Sequence, residues 1–174
     1  SLNIISAKLI FKVKPAEVVK TARKFGFYSP LRENFSLALG ATGASPLELA
    51  SAYSTIANLG VHVDPFYVSK IEDYQGNVLY EHFIENEKRF EPGAIYPLLD
   101  MMQGVMDDGS GRVIRRMGFK HPAAGKTGTT NAFRDAWFTG FTKFAQLHCL
   151  TIKDIIHSMP PRFTPSVSPR ICWT

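Results

Sequence analysis

The stretch Ala123-Ala124-Gly125-Lys126-Thr127-Gly128-Thr129-Thr130 decides how the chain is read. It alternates a cation, hydroxyl residues and glycines along an extended segment. Successive side chains of a strand point to opposite faces, so Lys126 and Gly128 share one face while Thr127 and Thr129 share the other. An ammonium and two hydroxyls placed this way form a grip for a carboxylate. A polar turn at Asn131 to Arg134 follows, then the aromatic run Ala136-Trp137-Phe138-Thr139-Gly140-Phe141. The pattern predicts an antiparallel pair with Lys126 to Thr129 on its first strand.

Upstream the texture is mostly helical. Ile4, Ile5, Leu9 and Ile10 recur at helix spacing, which predicts a first helix with one face in a core and Ser1 at or near its N-terminus. Pro15 suits a first helical position, Val18, Val19, Ala22 and Phe25 give a second buried face, and Gly26 ends it. Residues 29–44 are turn-rich. Ser45-Pro46-Leu47-Glu48 then reads as a capping box, opening a third helix that runs to about Asn58 and stops at Gly60.

From Val61 β-branched and aromatic residues take over. Phe66 to Ile71 and Val78 to Tyr80 flank a turn at Gln75-Gly76-Asn77, a hairpin pattern. The charged run Glu81 to Glu91 reads as a solvated connection, and Ala94 to Met106 returns to helix periodicity, its methionines serving as core filler. Asp107-Asp108 is not a paired-carboxylate site, because adjacent side chains diverge and Gly109-Ser110-Gly111 makes a turn directly after them.

With 174 residues and 45% apolar composition, the chain has the size and content of one folded domain with a real core. The net charge of +5 is scattered, without a basic stripe, so no nucleic acid is expected as a partner. No run approaches the roughly 18 apolar residues of a membrane span. Cys149 and Cys172 make neither a disulfide framework nor a metal site, and the histidines lack ligand spacing, so neither metal nor cofactor is expected.

Gly125-Lys126-Thr127 is not a phosphate-binding loop, which needs a glycine at position 120, where Lys120 stands, and a helix downstream. A nucleophile elbow of the form Gly-x-Ser-x-Gly is absent. A Lys-Thr-Gly triplet alone arises by chance in roughly one chain in twenty of this length, so the ensemble must decide.

That ensemble, in order, is Ser1-Leu2-Asn3, Ser36-Leu37-Ala38-Leu39-Gly40, Ser45 to Ala50, Tyr53, Ala57-Asn58, Gly109-Ser110-Gly111-Arg112, Ala124 to Asn131 and Arg134 to Gly140. It resembles the transpeptidase domain of class A penicillin-binding proteins, the peptidoglycan synthases of the bacterial envelope. Ser-x-x-Lys, Ser-x-Asn and Lys-Thr-Gly motifs mark that serine acyltransferase group and the related β-lactamases.

The resemblance implies an α+β, β-lactamase/transpeptidase-like fold with a helical part and an antiparallel sheet, incomplete at both ends. It also implies a D,D-transpeptidase that cross-links peptidoglycan stem peptides through a serine acyl-enzyme and is blocked by β-lactams. In that scheme Ser1 resembles the hydroxyl that relays a proton to the leaving group, Asn3 the amide that holds the substrate backbone and the general-base lysine, and Lys126 the positive charge of the site. Thr127 and Thr129 resemble hydroxyl contacts to the substrate carboxylate, the Thr129 N–H resembles an oxyanion donor, and Gly128 lacks a side chain so that elements approach closely. The resemblance further implies a parent protein anchored in the cytoplasmic membrane, facing its extracytoplasmic (periplasmic) side, with a glycosyltransferase domain upstream.

No serine in the chain is followed three residues later by lysine, so the nucleophile is expected upstream of Ser1 and the isolated chain is expected to be inactive. The expected organisation is a partial transpeptidase domain over 1–143, comprising a helical part (1–60), a hairpin and connection (61–93), and a helix with the active-site strands (94–143). The tail 144–174 is atypical and offers neither a further strand nor a closing helix. It is read as a shifted or fused end. A β-lactamase or D,D-carboxypeptidase relative, and a non-catalytic peptidoglycan- or β-lactam-binding module, are the alternatives.

Overall fold

A computed structural model of the chain describes residues 2–129, 135–142 and 146–152. Ser1, the turn expected at 131–134 and the tail beyond 152 lie outside the described residues. The chain divides into two compact units, one through Tyr96 and one from Pro97.

The first unit holds helices α1 (Asn3–Val13), α2 (Pro15–Lys24) and α3 (Pro46–Ala57), a short 3-10 turn over Phe35–Leu39, and the strand pairs β1 (Val61–His62) with β4 (Glu87–Lys88) and β2 (Lys70–Glu72) with β3 (Val78–Glu81). Lys14, at φ 75°, separates α1 from α2, and Pro15 opens α2 as its sequence position predicts. The capping box of α3 is complete: the Glu48 N–H donates to Ser45 Oγ at 3.2 Å, and the Ser45 N–H donates to Glu48 Oε2 at 2.8 Å.

Glu48 does more than cap. Its side chain has no exposure, and it also accepts from the Tyr28 N–H (2.8 Å), the Ser29 N–H and the Ser29 hydroxyl (2.7 Å). Burial alone would raise its pKa, but these donors outweigh burial and bring it down to about 2. One carboxylate therefore fastens the 28–29 loop to the start of α3. Nearby, Thr55 Oγ1 donates to the Ser51 carbonyl (3.1 Å) and lies 2.8 Å from His62 Nδ1, while His62 Nε2 reaches Asp64 at 3.2 Å. Gly26, at φ 100°, admits this imidazole, since a Cβ there would stand 2.7 Å from His62 Cε1.

Three expectations fail in this unit, one of them the second buried face, since Val18, Val19, Ala22 and Phe25 are only half-buried. Of the apolar set on α1 only Ile10 is buried, whereas Ile4, Ile5 and Leu9 are more than half exposed. Periodicity fixes which residues share a face but not whether anything covers it. The connection 81–91 also contains a strand, because Glu87 and Lys88 pair with His62 and Val61 through backbone groups that need no apolar period.

The second unit contains most of α4 (Pro92–Asp107), then α5 (Arg112–Arg116), β5 (Ala123–Thr129), β6 (Asp135–Thr142) and β7 (Gln146–Ile152). Met102 and Met106 of α4 are buried, as expected of core filler, whereas Met101 is exposed. The strands form one antiparallel sheet in the order β5-β6-β7. The expected β5–β6 pair is present, but the tail is corrected: it continues with a strand against β6. The backbone donors and acceptors along the second edge of β6 demand partners, and the following segment supplies them without a side-chain pattern that marks it. Helices plus antiparallel sheet make the architecture α+β, the class expected from the sequence.

Replacing Glu48 by Ala strands the Tyr28 and Ser29 donors and removes the cap, and is expected to cost about 2–4 kcal/mol in urea unfolding. The native carboxyl is depressed from 4.5 to about 2. Its stabilisation is therefore complete above pH 4.5 and is lost as pH falls from there through 2. Glu48→Gln should flatten that limb of the stability-against-pH curve.

Candidate active site

The register of β5 on β6 places Gly125 opposite Gly140, Lys126 opposite Thr139, Thr127 opposite Phe138, Gly128 opposite Trp137 and Thr129 opposite Ala136. Lys126 and Gly128 thus lie on the face of buried Ala124, and Thr127 and Thr129 on the face of Ala123 and Gly125. Burial decreases along the strand: Ala123 to Gly125 are buried, Lys126 and Thr127 half-buried, Gly128 and Thr129 exposed. The polar end of the strand is therefore the open end. Among the described residues β5 pairs on one side only, so every second residue turns its N–H and C=O away from β6.

The strand can pack this closely because of two glycines. A Cβ on Gly125 would lie 2.7 Å from Phe138 Cζ and 2.9 Å from the Thr139 carbonyl oxygen; one on Gly140 would lie 2.7 Å from Phe138 Cε1. The Phe138 ring occupies the space of both absent side chains, across the Gly125–Gly140 pair. Close approach is expected of Gly128; among the described residues a Cβ there would meet only Trp137 Cβ at 3.4 Å, an ordinary contact. The constraint sits at the Gly125–Gly140 pair, three register pairs inward, which the Phe138 ring covers.

Lys126 Nζ donates to the Thr127 carbonyl oxygen at 2.7 Å, which holds the ammonium against its own strand. Burial lowers its pKa from the usual 10.5. Thr127 Oγ1 lies 2.6 Å from Ser110 Oγ, in the turn between α4 and α5. Ser110 belongs to the Gly109-Ser110-Gly111-Arg112 motif of the ordered ensemble, but the sequence pattern assigns it a turn and no site role. Asn3 is the exposed first residue of α1 in the first unit, with Leu2 as N-cap. Ser1 lies outside the described residues. Among the described residues no three His, Cys, Asp or Glu side chains gather as metal ligands, and no helix is long and apolar enough to cross a membrane.

A cation, two hydroxyls and strand amides therefore gather along one sheet edge, groups whose chemistry suits a carboxylate. Residues 1–148 match the penicillin binding protein transpeptidase domain family, and the chain belongs to it. It is 38% identical over 144 residues to penicillin-binding protein 1A of Aquifex aeolicus (strain VF5), covering 83% of this chain and 19% of that protein. Among solved structures, penicillin-binding protein 1A from Haemophilus influenzae superposes with a TM-score of 0.74 at 22% identity, over 80% of this chain and 26% of that one. The PonA1 protein from Mycobacterium tuberculosis in complex with penicillin V superposes with a TM-score of 0.67 at 24% identity, over 79% and 41%. The chain spans about a fifth of the length of the curated relatives it matches. The resemblance read from the ordered motifs is the family found.

Two outcomes test this geometry. Gly125→Ala is expected to destabilise the protein by about 1–3 kcal/mol, because Phe138 must move, and Phe138→Leu in the same molecule should recover part of the loss. Because the Lys126 ammonium titrates below 10.5, binding of a carboxylate ligand should weaken as pH rises through that lowered value. Lys126→Arg, charged throughout, should abolish the alkaline limb in a pH titration of affinity.

Proposed function

We propose that this chain is the downstream part of the catalytic domain of a class A D,D-transpeptidase, which cross-links peptidoglycan stem peptides through a serine acyl-enzyme. The acylating Ser-x-x-Lys serine is supplied upstream of Ser1. The observation that carries this reading is the family match over 1–148 combined with Lys126-Thr127-Gly128-Thr129 on the one-sided strand β5.

In this reaction the upstream serine oxygen attacks the carbonyl between two D-alanines as the neighbouring lysine takes its proton. The tetrahedral intermediate then expels the terminal D-alanine, which leaves with a proton relayed through Ser1. An amine of a second stem peptide attacks the resulting ester, forming the cross-link and freeing the serine. Asn3 holds the donor backbone and the general-base lysine. Lys126, Thr127 and Thr129 bind the terminal carboxylate, and the Thr129 N–H is one oxyanion donor. Exposed Gly128 leaves room for ligand to lie along the strand. A β-lactam, whose strained amide stands in for the donor bond and whose carboxylate takes the same grip, acylates the serine and stays.

The parent protein accordingly acts at the extracytoplasmic face of the bacterial cytoplasmic membrane, anchored there, with a glycosyltransferase domain preceding this one. The penicillin V complex of a structural relative supports the β-lactam as ligand class. In this reading the transpeptidase domain takes in at least residues 1–148, the span of the family match.

Incubation with fluorescent penicillin and denaturing electrophoresis test the proposal. The full-length protein should give a covalent band that disappears when the upstream serine is replaced, and the isolated chain should give none. Lys126→Ala should slow acylation by about a hundredfold to a thousandfold. A labelled band from the isolated chain, or unlabelled full-length protein, overturns it.

A further inference from the structure

The turn between α4 and α5 aims one side chain at β5. Ser110 Oγ stands 2.6 Å from Thr127 Oγ1, a short hydroxyl–hydroxyl hydrogen bond across 17 residues of sequence. We propose that Ser110 is a positioning residue for the transpeptidase reaction, which donates to the Thr127 hydroxyl and so turns the Thr127 proton toward the substrate carboxylate. This rests on the reading of Thr127 as a carboxylate contact.

The turn that carries Ser110 is fixed on both sides. The Asp108 and Gly109 N–H groups donate to the Gly104 carbonyl at 3.0 and 2.9 Å, and the Gly111 N–H donates to the Val105 carbonyl at 2.9 Å, folding the turn back over the last turn of α4. Both glycines are tightly packed there. A Cβ on Gly109 would lie 2.7 Å from Val105 Cα, and one on Gly111 3.0 Å from the Val105 carbonyl oxygen. On the far side Arg115 donates to Asp107 Oδ1 (2.8 Å), to the Phe119 carbonyl (3.1 Å) and to the His121 carbonyl (2.6 Å). One guanidinium therefore ties the end of α4 to the approach to β5, which begins at Ala123.

Proton counting sets the direction of the bond. A hydroxyl has one proton to donate, and a carboxylate can only accept. Were Thr127 to donate to Ser110, it would have nothing for an anion. With a carboxylate bound, the order must be Ser110 O–H to Thr127 Oγ1 and Thr127 O–H to the anion. Each bond in such a chain polarises the next. The Thr127 carbonyl is held in turn by Lys126 Nζ at 2.7 Å, so backbone and side chain of the same residue are both oriented before ligand arrives.

The test compares acylation of the full-length protein by a carboxylate-bearing β-lactam and by its methyl ester. Ser110→Ala should lower the second-order acylation constant about five- to tenfold for the acid and less than twofold for the ester. Ser110→Thr, which keeps the hydroxyl, should stay within about twofold for both. In a Thr127→Val background, Ser110→Ala should add no further loss. Equal losses for acid and ester, a full additional loss in that background, or an unchanged rate for Ser110→Ala overturns the proposal. If Thr127→Val is slow with the acid while Ser110→Ala is normal, only the role of Ser110 falls; if Thr127→Val keeps the wild-type preference for acid over ester, the reading of Thr127 falls with it. Should Ser110→Ala not fold, Ser110→Cys, a weak donor of similar size, carries the comparison: a reduced preference for the acid supports the proposal and an unchanged one overturns it.

Discussion

The second unit depends on the contact of the Phe138 ring with a bare patch of two strands. Gly125 and Gly140 face each other across β5 and β6, and the ring fills the volume that their side chains would have taken. Glycine in a strand interior ordinarily weakens it, by conformational entropy and lost packing. Here the aromatic ring restores the packing and covers the pair. It also leaves the next residues of β5, from Lys126 outward, progressively more exposed. A closely packed inner end and an open polar outer end on one strand are what a binding edge requires.

A comparable economy holds the turn beside that edge. Gly109 and Gly111 let the chain fold onto α4, and Arg115 spans from Asp107 to the carbonyls of Phe119 and His121. The position of Ser110 against Thr127 therefore follows from backbone geometry more than from its own exposed side chain. In the first unit Glu48 plays the equivalent part, serving as helix cap and as acceptor for the 28–29 loop. Its depressed pKa reflects donors that overcome burial. Both units thus use a single charged side chain to fix a loop against a helix.

The departures between sequence pattern and structure have a common origin. The strands β4 and β7 were not legible because edge pairing is driven by backbone groups, which carry no residue signature. The face of α1 was legible as a face, yet the exposure of Ile4, Ile5 and Leu9 is a property of what surrounds a helix rather than of its period. Gly128 drew attention as the glycine within the motif, whereas the tight contacts belong to Gly125 and Gly140, which become neighbours only through register.

By itself the sequence determined the capping box of α3, a helix over residues 94–106, the β5–β6 pair and the family, since each rests on local spacing or on motifs kept in order. It also determined that Lys126 and Thr127 lie on opposite faces of one strand, because alternation is a covalent property of extended backbone. The tertiary structure alone decided that Phe138 covers two glycines, that a third strand joins β6, and that Ser110 meets Thr127. Those contacts join residues distant in the chain, and no periodicity of 2 or 3.6 encodes which distant backbone will arrive beside which.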